Sequence, residues 1–190
     1  MVDGREHSKL YTEFVRLIDV PNRLCFTVTA ELLLKMFAMT TATQLAFISE
    51  ADYLEGEKIA EIKHEYIDGQ VYAMSGASAN HNLLAGNIYG EFRNHLKGKP
   101  CRPYTADMKV KTGSRYFYPD VLVDCSDIAG DSHFTENPVI LVEVLSKSTR
   151  RMDETTKRLA YMQIPTLQEY VLIEQDMVNV EVMRRDTHWQ

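Results

Sequence analysis

Cysteine is scarce in this sequence, and so is tryptophan. Three cysteines, Cys25, Cys101 and Cys125, stand far apart in 190 residues. They form no Cys-x-x-Cys pair for zinc and no disulfide framework, so reduced thiols in a cytoplasmic protein are the expectation. The single tryptophan gives no aromatic cluster of the kind that stacks on sugars. No Gly-x-Ser-x-Gly nucleophile turn and no glycine-rich phosphate loop is present, which argues against an acyl-transfer hydrolase and against a nucleotide-binding loop. A long hydrophobic run is also missing. The most apolar early stretch, 26–38, is interrupted by Glu31 and Lys35 and is too short to span a bilayer. Nothing points to a membrane.

Positive charge is in deficit. The chain carries 27 acidic and 21 basic residues, a net charge of −6. Global charge therefore supplies no general affinity for nucleic acid. Its distribution is uneven, however. From Glu50 to Asp68 there are seven acids and two lysines; from Arg93 to Arg115 there are seven basic residues and one acid, Asp107. Two solvated faces explain this pattern, and so does a basic rim facing a phosphate backbone.

An apolar fraction of 45 % supports one soluble domain with a core. Ser49 caps a short helix over 48–57 that closes near Gly56. Asp68-Gly69 interrupts a strand over 66–74 and signals a hairpin. A helix follows 75–80, capped by Ser78 or Asn80, with Leu84, Ile88, Phe92 and Leu96 as its apolar stripe. His81 falls in its first turn and is read first as a hydrogen-bonded structural histidine, as are His64 and His95. Strands over 105–111 and 116–124 are joined through Thr112-Gly113-Ser114, and Lys109 and Lys111 give the first of them a basic face. A loop fills 128–137, with His133 exposed in it. The run 139–145 is a buried central strand. Strands over 169–174 and 178–184 close the pattern.

The chemistry concentrates in 118–157. Two apolar strands, 118–124 and 139–145, each carry a carboxylate out of place, Asp120 and Glu143. Alternation puts Asp120 on one face with Leu122 and Asp124, and Glu143 with Leu141 and Leu145. A carboxylate in such a run must pair, bind a cation or hold its proton. Two on neighbouring strands suit a hard metal of the Mg²⁺ kind. On a helix opening near Asp153, Lys157 shares a face with Ala160, Tyr161 and Ile164, which aims the lysine inward. The remaining readings of these residues are a metal-free acid–base carboxylate pair and a purely structural one, with Asp120 capping a turn and Glu143 ion-paired to Lys157.

The ordered set His64-Glu65-Tyr66-Ile67-Asp68-Gly69, His81, Tyr118-Pro119-Asp120-Val121, Glu143-Val144-Leu145-Ser146, Asp153, Lys157, Tyr161 and Glu169-Tyr170 resembles the Uma-type bacterial restriction endonucleases of the PD-(D/E)XK nuclease superfamily. The resemblance implies an α/β fold with a restriction-endonuclease-like core, a central mixed β-sheet flanked by helices, over 47–184. It implies a Mg²⁺-dependent DNA endonuclease with Asp120 and Glu143 as metal ligands. Lys157 stands in for the superfamily lysine, because the usual position two residues after the glutamate is Leu145 here. Glu65, the acid ahead of the first strand, supports the metal directly or through water. The alternative is a catalytically inactive nuclease fold that binds nucleic acid or a protein. DNA is the implied partner, and a homodimer suits cleavage of both strands. Met39-Thr-Thr-Ala-Thr-Gln-Leu resembles the usual start of such proteins, so 1–38 is expected to be an extension outside the core. The chain stops at Trp189-Gln190, short of the further strand the resemblance implies.

Overall fold

The structure is a computed structural model, and it describes residues 47–190. The readings that fall on 1–38 and on Cys25 lie outside the described residues.

Helix α1 (Glu50–Glu57) starts as its sequence dictates: the Ser49 hydroxyl accepts from the Asp52 amide. Strands β1 (His64–Ile67) and β2 (Gln70–Ala73) form the expected hairpin. Asp68 (φ 48°) and Gly69 (φ 92°) both turn left-handed, as a two-residue hairpin requires. Helix α2 (Ala79–His95) is capped by Ser78, which accepts from the His81 amide. Its apolar stripe is half-buried.

The expected α/β class is what the structure has, with mixed sheets and flanking helices. Its strands are divided between two five-stranded sheets. Five short strands follow α2: β3 (Arg102–Thr105), β4 (Lys109–Lys111), β5 (Arg115–Phe117), β6 (Val121–Asp124) and β7 (Phe134–Thr135). Then come the long β8 (Pro138–Leu145), α3 (Met152–Lys157, wound as a π-helix), α4 (Arg158–Tyr161), β9 (Glu169–Glu174) and β10 (Val180–Arg184). One sheet runs β2-β1-β5-β4-β7 and the other β10-β9-β8-β6-β3.

Two strands expected to be continuous are broken. The 105–111 strand divides around a turn at Ala106–Asp107 into β3 and β4, which lie in different sheets. The 116–124 strand breaks at Tyr118-Pro119-Asp120, and the chain crosses there from one sheet to the other. Pro119 has no N–H for a ladder, so this is where a strand can stop without an unpaired donor. The 112–114 turn forms as expected, pairing Val110 with Phe117 and Lys111 with Tyr116. Phe134–Thr135, inside the expected loop, adds a short parallel strand to β4.

β8 is the central strand, antiparallel to β6 and parallel to β9. Leu122, Leu141, Leu145, Ala160, Tyr161, Ile164 and Tyr170 join in one core around it. The 157–164 face therefore turns inward as its periodicity indicates. The smaller second core is aromatic, with Tyr53 stacked on Tyr66 at 5.0 Å and Tyr116 beside them.

Two cysteines depart from expectation. Cys101 and Cys125 form a disulfide, where free thiols were expected. The pairing of Arg102 with Asp124 across β3 and β6 carries these residues into the next opposed position, with Cα atoms 3.9 Å apart. Only the strand register brings them together, 24 residues apart in sequence.

Candidate active site

The β6–β8 register pairs Val121 with Val142, so the preceding residue, Asp120, stands opposite Glu143. Asp120 lies in the break before β6 and not within the strand as expected. Its Oδ2 accepts a hydrogen bond from the Val144 amide at 2.7 Å, which ties the break to β8. His81 Nε2, from the first turn of α2, lies 3.3 Å from the same oxygen. That hydrogen bond lifts the imidazole above its ordinary value, against the opposing effect of burial. His81 therefore belongs to the site. His64 does not: its Nδ1 lies 3.2 Å from Glu57 Oε2, and its backbone amide donates to the same carboxylate.

Lys157 is 4 % exposed and sits among three carboxylates. Its Nζ lies 2.9 Å from Glu65 Oε1, 3.1 Å from Asp153 Oδ1 and 3.2 Å from Glu143 Oε1. Tyr161 Oη also donates to Glu143 Oε1 at 3.1 Å. Glu143 and Asp153 are 2 % and 1 % exposed. With Asp120 the group holds four carboxylates against one ammonium. Burial pushes the Glu143 carboxyl well above its usual range, and Lys157 only partly opposes this. Burial raises Asp153 as well. Burial pulls the Lys157 ammonium down, but Glu143, Glu65 and Asp153 more than reverse this and hold it well above the ordinary lysine value. Such a cluster keeps an excess of negative charge unless protons or a cation enter.

A cavity of about 610 Å³ opens onto this cluster. His81, Asp120, Glu143, Asp153 and Lys157 line it, together with Ser146 and Gln175. Glu65 does not line it. It lies inside β1 and not ahead of the first strand, and it reaches the cluster through Lys157 while accepting from the Tyr118 amide at 3.1 Å. The structure thus gathers all four expected residues, with Glu65 behind the lysine. Asp107 is exposed, paired with Lys63 away from the cluster.

Among the described residues, no group of three or more His, Cys, Asp or Glu is arranged to hold a metal ion. The donor set suits a hard cation that keeps most of its waters. The described hydrogen bonds of Asp120 all reach Oδ2 and those of Glu143 all reach Oε1. The other oxygen of each carboxylate has no described hydrogen bond, and both residues line the same cavity. Two carboxylates completed by water is the Mg²⁺ pattern and not the zinc one.

Asp153 is the cluster member that sequence reading gave no role beyond opening the helix. The signal was present: an acid four residues before an inward-facing lysine shares its helix face. The π-winding of α3 was not legible, although such turns concentrate at functional sites.

A family model described as "Putative restriction endonuclease" (Uma2) matches residues 51–190. The chain belongs to this family. Two relatives, the uncharacterized proteins slr1290 and sll1609 of Synechocystis sp., are each 34 % identical to it. The first alignment covers 80 % of this chain and 81 % of slr1290; the second covers 80 % and 89 % of sll1609. A crystal structure of "a putative nuclease belonging to DUF820" from Anabaena variabilis matches with a TM-score of 0.58 at 19 % identity, over 72 % of this chain and 84 % of that one. That likeness speaks to the fold. Membership of Uma2 supports a nuclease-like role. Among the described residues, no helix is long and apolar enough to cross a membrane.

Proposed function

We propose that this Uma2 member is a Mg²⁺-dependent endonuclease that hydrolyses phosphodiester bonds in DNA. The observation that carries this reading is the cavity in which Asp120 and Glu143 stand opposite each other, within a buried cluster holding four carboxylates and one lysine. Asp120 and Glu143 would hold the ion. A bound Mg²⁺ polarises a phosphoryl oxygen and lowers the pKa of a bound water.

The remaining groups divide the other tasks. Lys157 keeps Glu65, Glu143 and Asp153 together against their repulsion and supplies positive charge beside the reacting phosphate. Its contacts to three carboxylates make it a positioning and electrostatic residue before it is a base. Glu65 and Tyr161 fix Lys157 and Glu143 in turn. His81 orients Asp120 through Oδ2 and, from the cavity wall, would pass a proton to a leaving oxygen.

The basic run contributes affinity. Arg93, Lys97, Lys99 and Arg102 gather around a depression of about 370 Å³ at the end of α2, with no carboxylate in its lining. In a chain of net charge −6 this is a face on which a phosphate backbone can rest. Nicking of supercoiled plasmid in Mg²⁺, abolished by chelation, is the test. A folded protein that does not cut with Mg²⁺ or Mn²⁺ would instead leave a nuclease fold that binds without cutting.

A further inference from the structure

A second cavity, of about 580 Å³, adjoins the first. The two share Ile62, Lys63 and Tyr118 as a common wall. Tyr118 precedes Pro119-Asp120 directly, so the second cavity lies close in the chain to a proposed metal ligand. Phe134 and Leu54 supply apolar wall, and the volume is that of a small-ligand site.

The unusual group here is Lys109. Sequence alternation put it on a polar or basic face, and in the fold it is 5 % exposed. Burial lowers its ammonium from the ordinary lysine value. Its ammonium sits over the Tyr118 ring at 5.0 Å, the ammonium's one described hydrogen bond goes to Tyr118 Oη at 3.2 Å, and no described carboxylate comes within ion-pair distance of it. That hydroxyl in turn donates to Glu57 at 3.0 Å. A lysine has three N–H donors. Two are left without a described partner in a buried group that lines a cavity, which calls for an acceptor from outside.

The charge of the walls narrows what that acceptor can be. Glu55, Glu57, Glu61, Asp107 and Asp131 line the cavity, against Lys58, Lys63 and Lys109. A phosphate would meet net repulsion. A neutral planar ring with a carbonyl would not: its oxygen can take the Lys109 donors, its amino hydrogens can reach the carboxylates, and one face can rest on the partly exposed Phe134, the Tyr118 ring being buried beneath Lys63 and Lys109.

We infer that this cavity receives one unstacked nucleobase of the strand whose phosphate occupies the acidic cavity. This rests on the nuclease reading and narrows its substrate to single-stranded or locally unpaired DNA.

Titration of the full chain with adenosine, guanosine, cytidine and thymidine, which carry no phosphate, tests the cavity apart from cleavage. At least one nucleoside should bind saturably. Lys109→Met should weaken it by about tenfold to a hundredfold, the size of a missing hydrogen bond to a charged group. Ile62→Glu, at an exposed position on the shared wall, should weaken it as well with an unchanged unfolding midpoint. Saturable binding by no nucleoside, or affinity unchanged in both variants, would overturn the inference. Asp120-dependent plasmid nicking without nucleoside binding would sink the base cavity alone. Lys109-dependent nucleoside binding without nicking would uphold the cavity and remove the nuclease.

Discussion

Lys157 Nζ lies 3.2 Å from Glu143 Oε1, and both side chains are almost completely buried. The lysine is the one described cation in contact with Glu65, Glu143 and Asp153. Removing it strands their charges. Lys157→Met is expected to cost about 3–5 kcal/mol of unfolding free energy, the range for breaking one partner out of a buried pair. Adding Glu143→Gln should return part of that loss. Urea unfolding of the two single variants and the double variant measures it; strictly additive losses would show that the two residues are not coupled.

The proposed function makes the carboxylate cluster a binder of Mg²⁺ in the native state. Mg²⁺ should therefore raise the unfolding temperature, by the equivalent of about 2.7 kcal/mol at a concentration one hundred times its dissociation constant. Asp120→Asn keeps an acceptor for the Val144 amide but loses the charge, so its midpoint should not respond to Mg²⁺. Thermal unfolding with and without the ion decides this. An equal response in the variant would take Asp120 out of the metal site.

Much of this site was legible in the sequence, for a reason particular to its residues. Asp120 and Glu143 are carboxylates in apolar stretches of sequence, and an inward-facing lysine on a helix is equally out of place; such exceptions show wherever they occur. The turns at Asp68-Gly69 and 112–114 were legible because left-handed backbone demands particular residues. What depends on register was not. The break at Tyr118-Pro119-Asp120 reads as one strand until its halves are seen in different sheets, and Cys101 meets Cys125 only through the β3–β6 pairing. Lys109 follows the same rule: alternation gives its face but not what covers that face.

Arg150 forms two hydrogen bonds to Glu174 and one to Glu154, fastening the start of the α3 segment to the end of β9. The Arg150 hydrogen bonds hold the Glu174 carboxyl below its usual value. A depressed carboxylate stabilises the fold above the unfolded value, about 4.3 for glutamate, and this is lost as pH falls through the lower folded value. Arg150→Met should be less stable than the parent at neutral pH, and the gap should close below about pH 4. Unfolding midpoints from pH 7 to pH 3 measure it. A gap independent of pH would mean that the pair contributes packing alone.

The basic depression at the end of α2 predicts how binding responds to salt. If Arg93 and Lys97 neutralise phosphates, replacing both with alanine should weaken DNA binding evenly across sequences. It should also reduce the slope of log affinity against log salt by about 0.9 for each phosphate no longer neutralised. Fluorescence anisotropy at several salt concentrations gives that slope. An unchanged slope would place the backbone on another face.

The most direct measurement is the rate at which the purified chain nicks supercoiled plasmid in Mg²⁺, beside Asp120→Ala and Lys157→Ala with their folding checked. Nicking by the parent, abolished in Asp120→Ala and strongly reduced in Lys157→Ala, is the predicted result. Nicking that survives Asp120→Ala, or a folded parent that cuts with neither Mg²⁺ nor Mn²⁺, would contradict it.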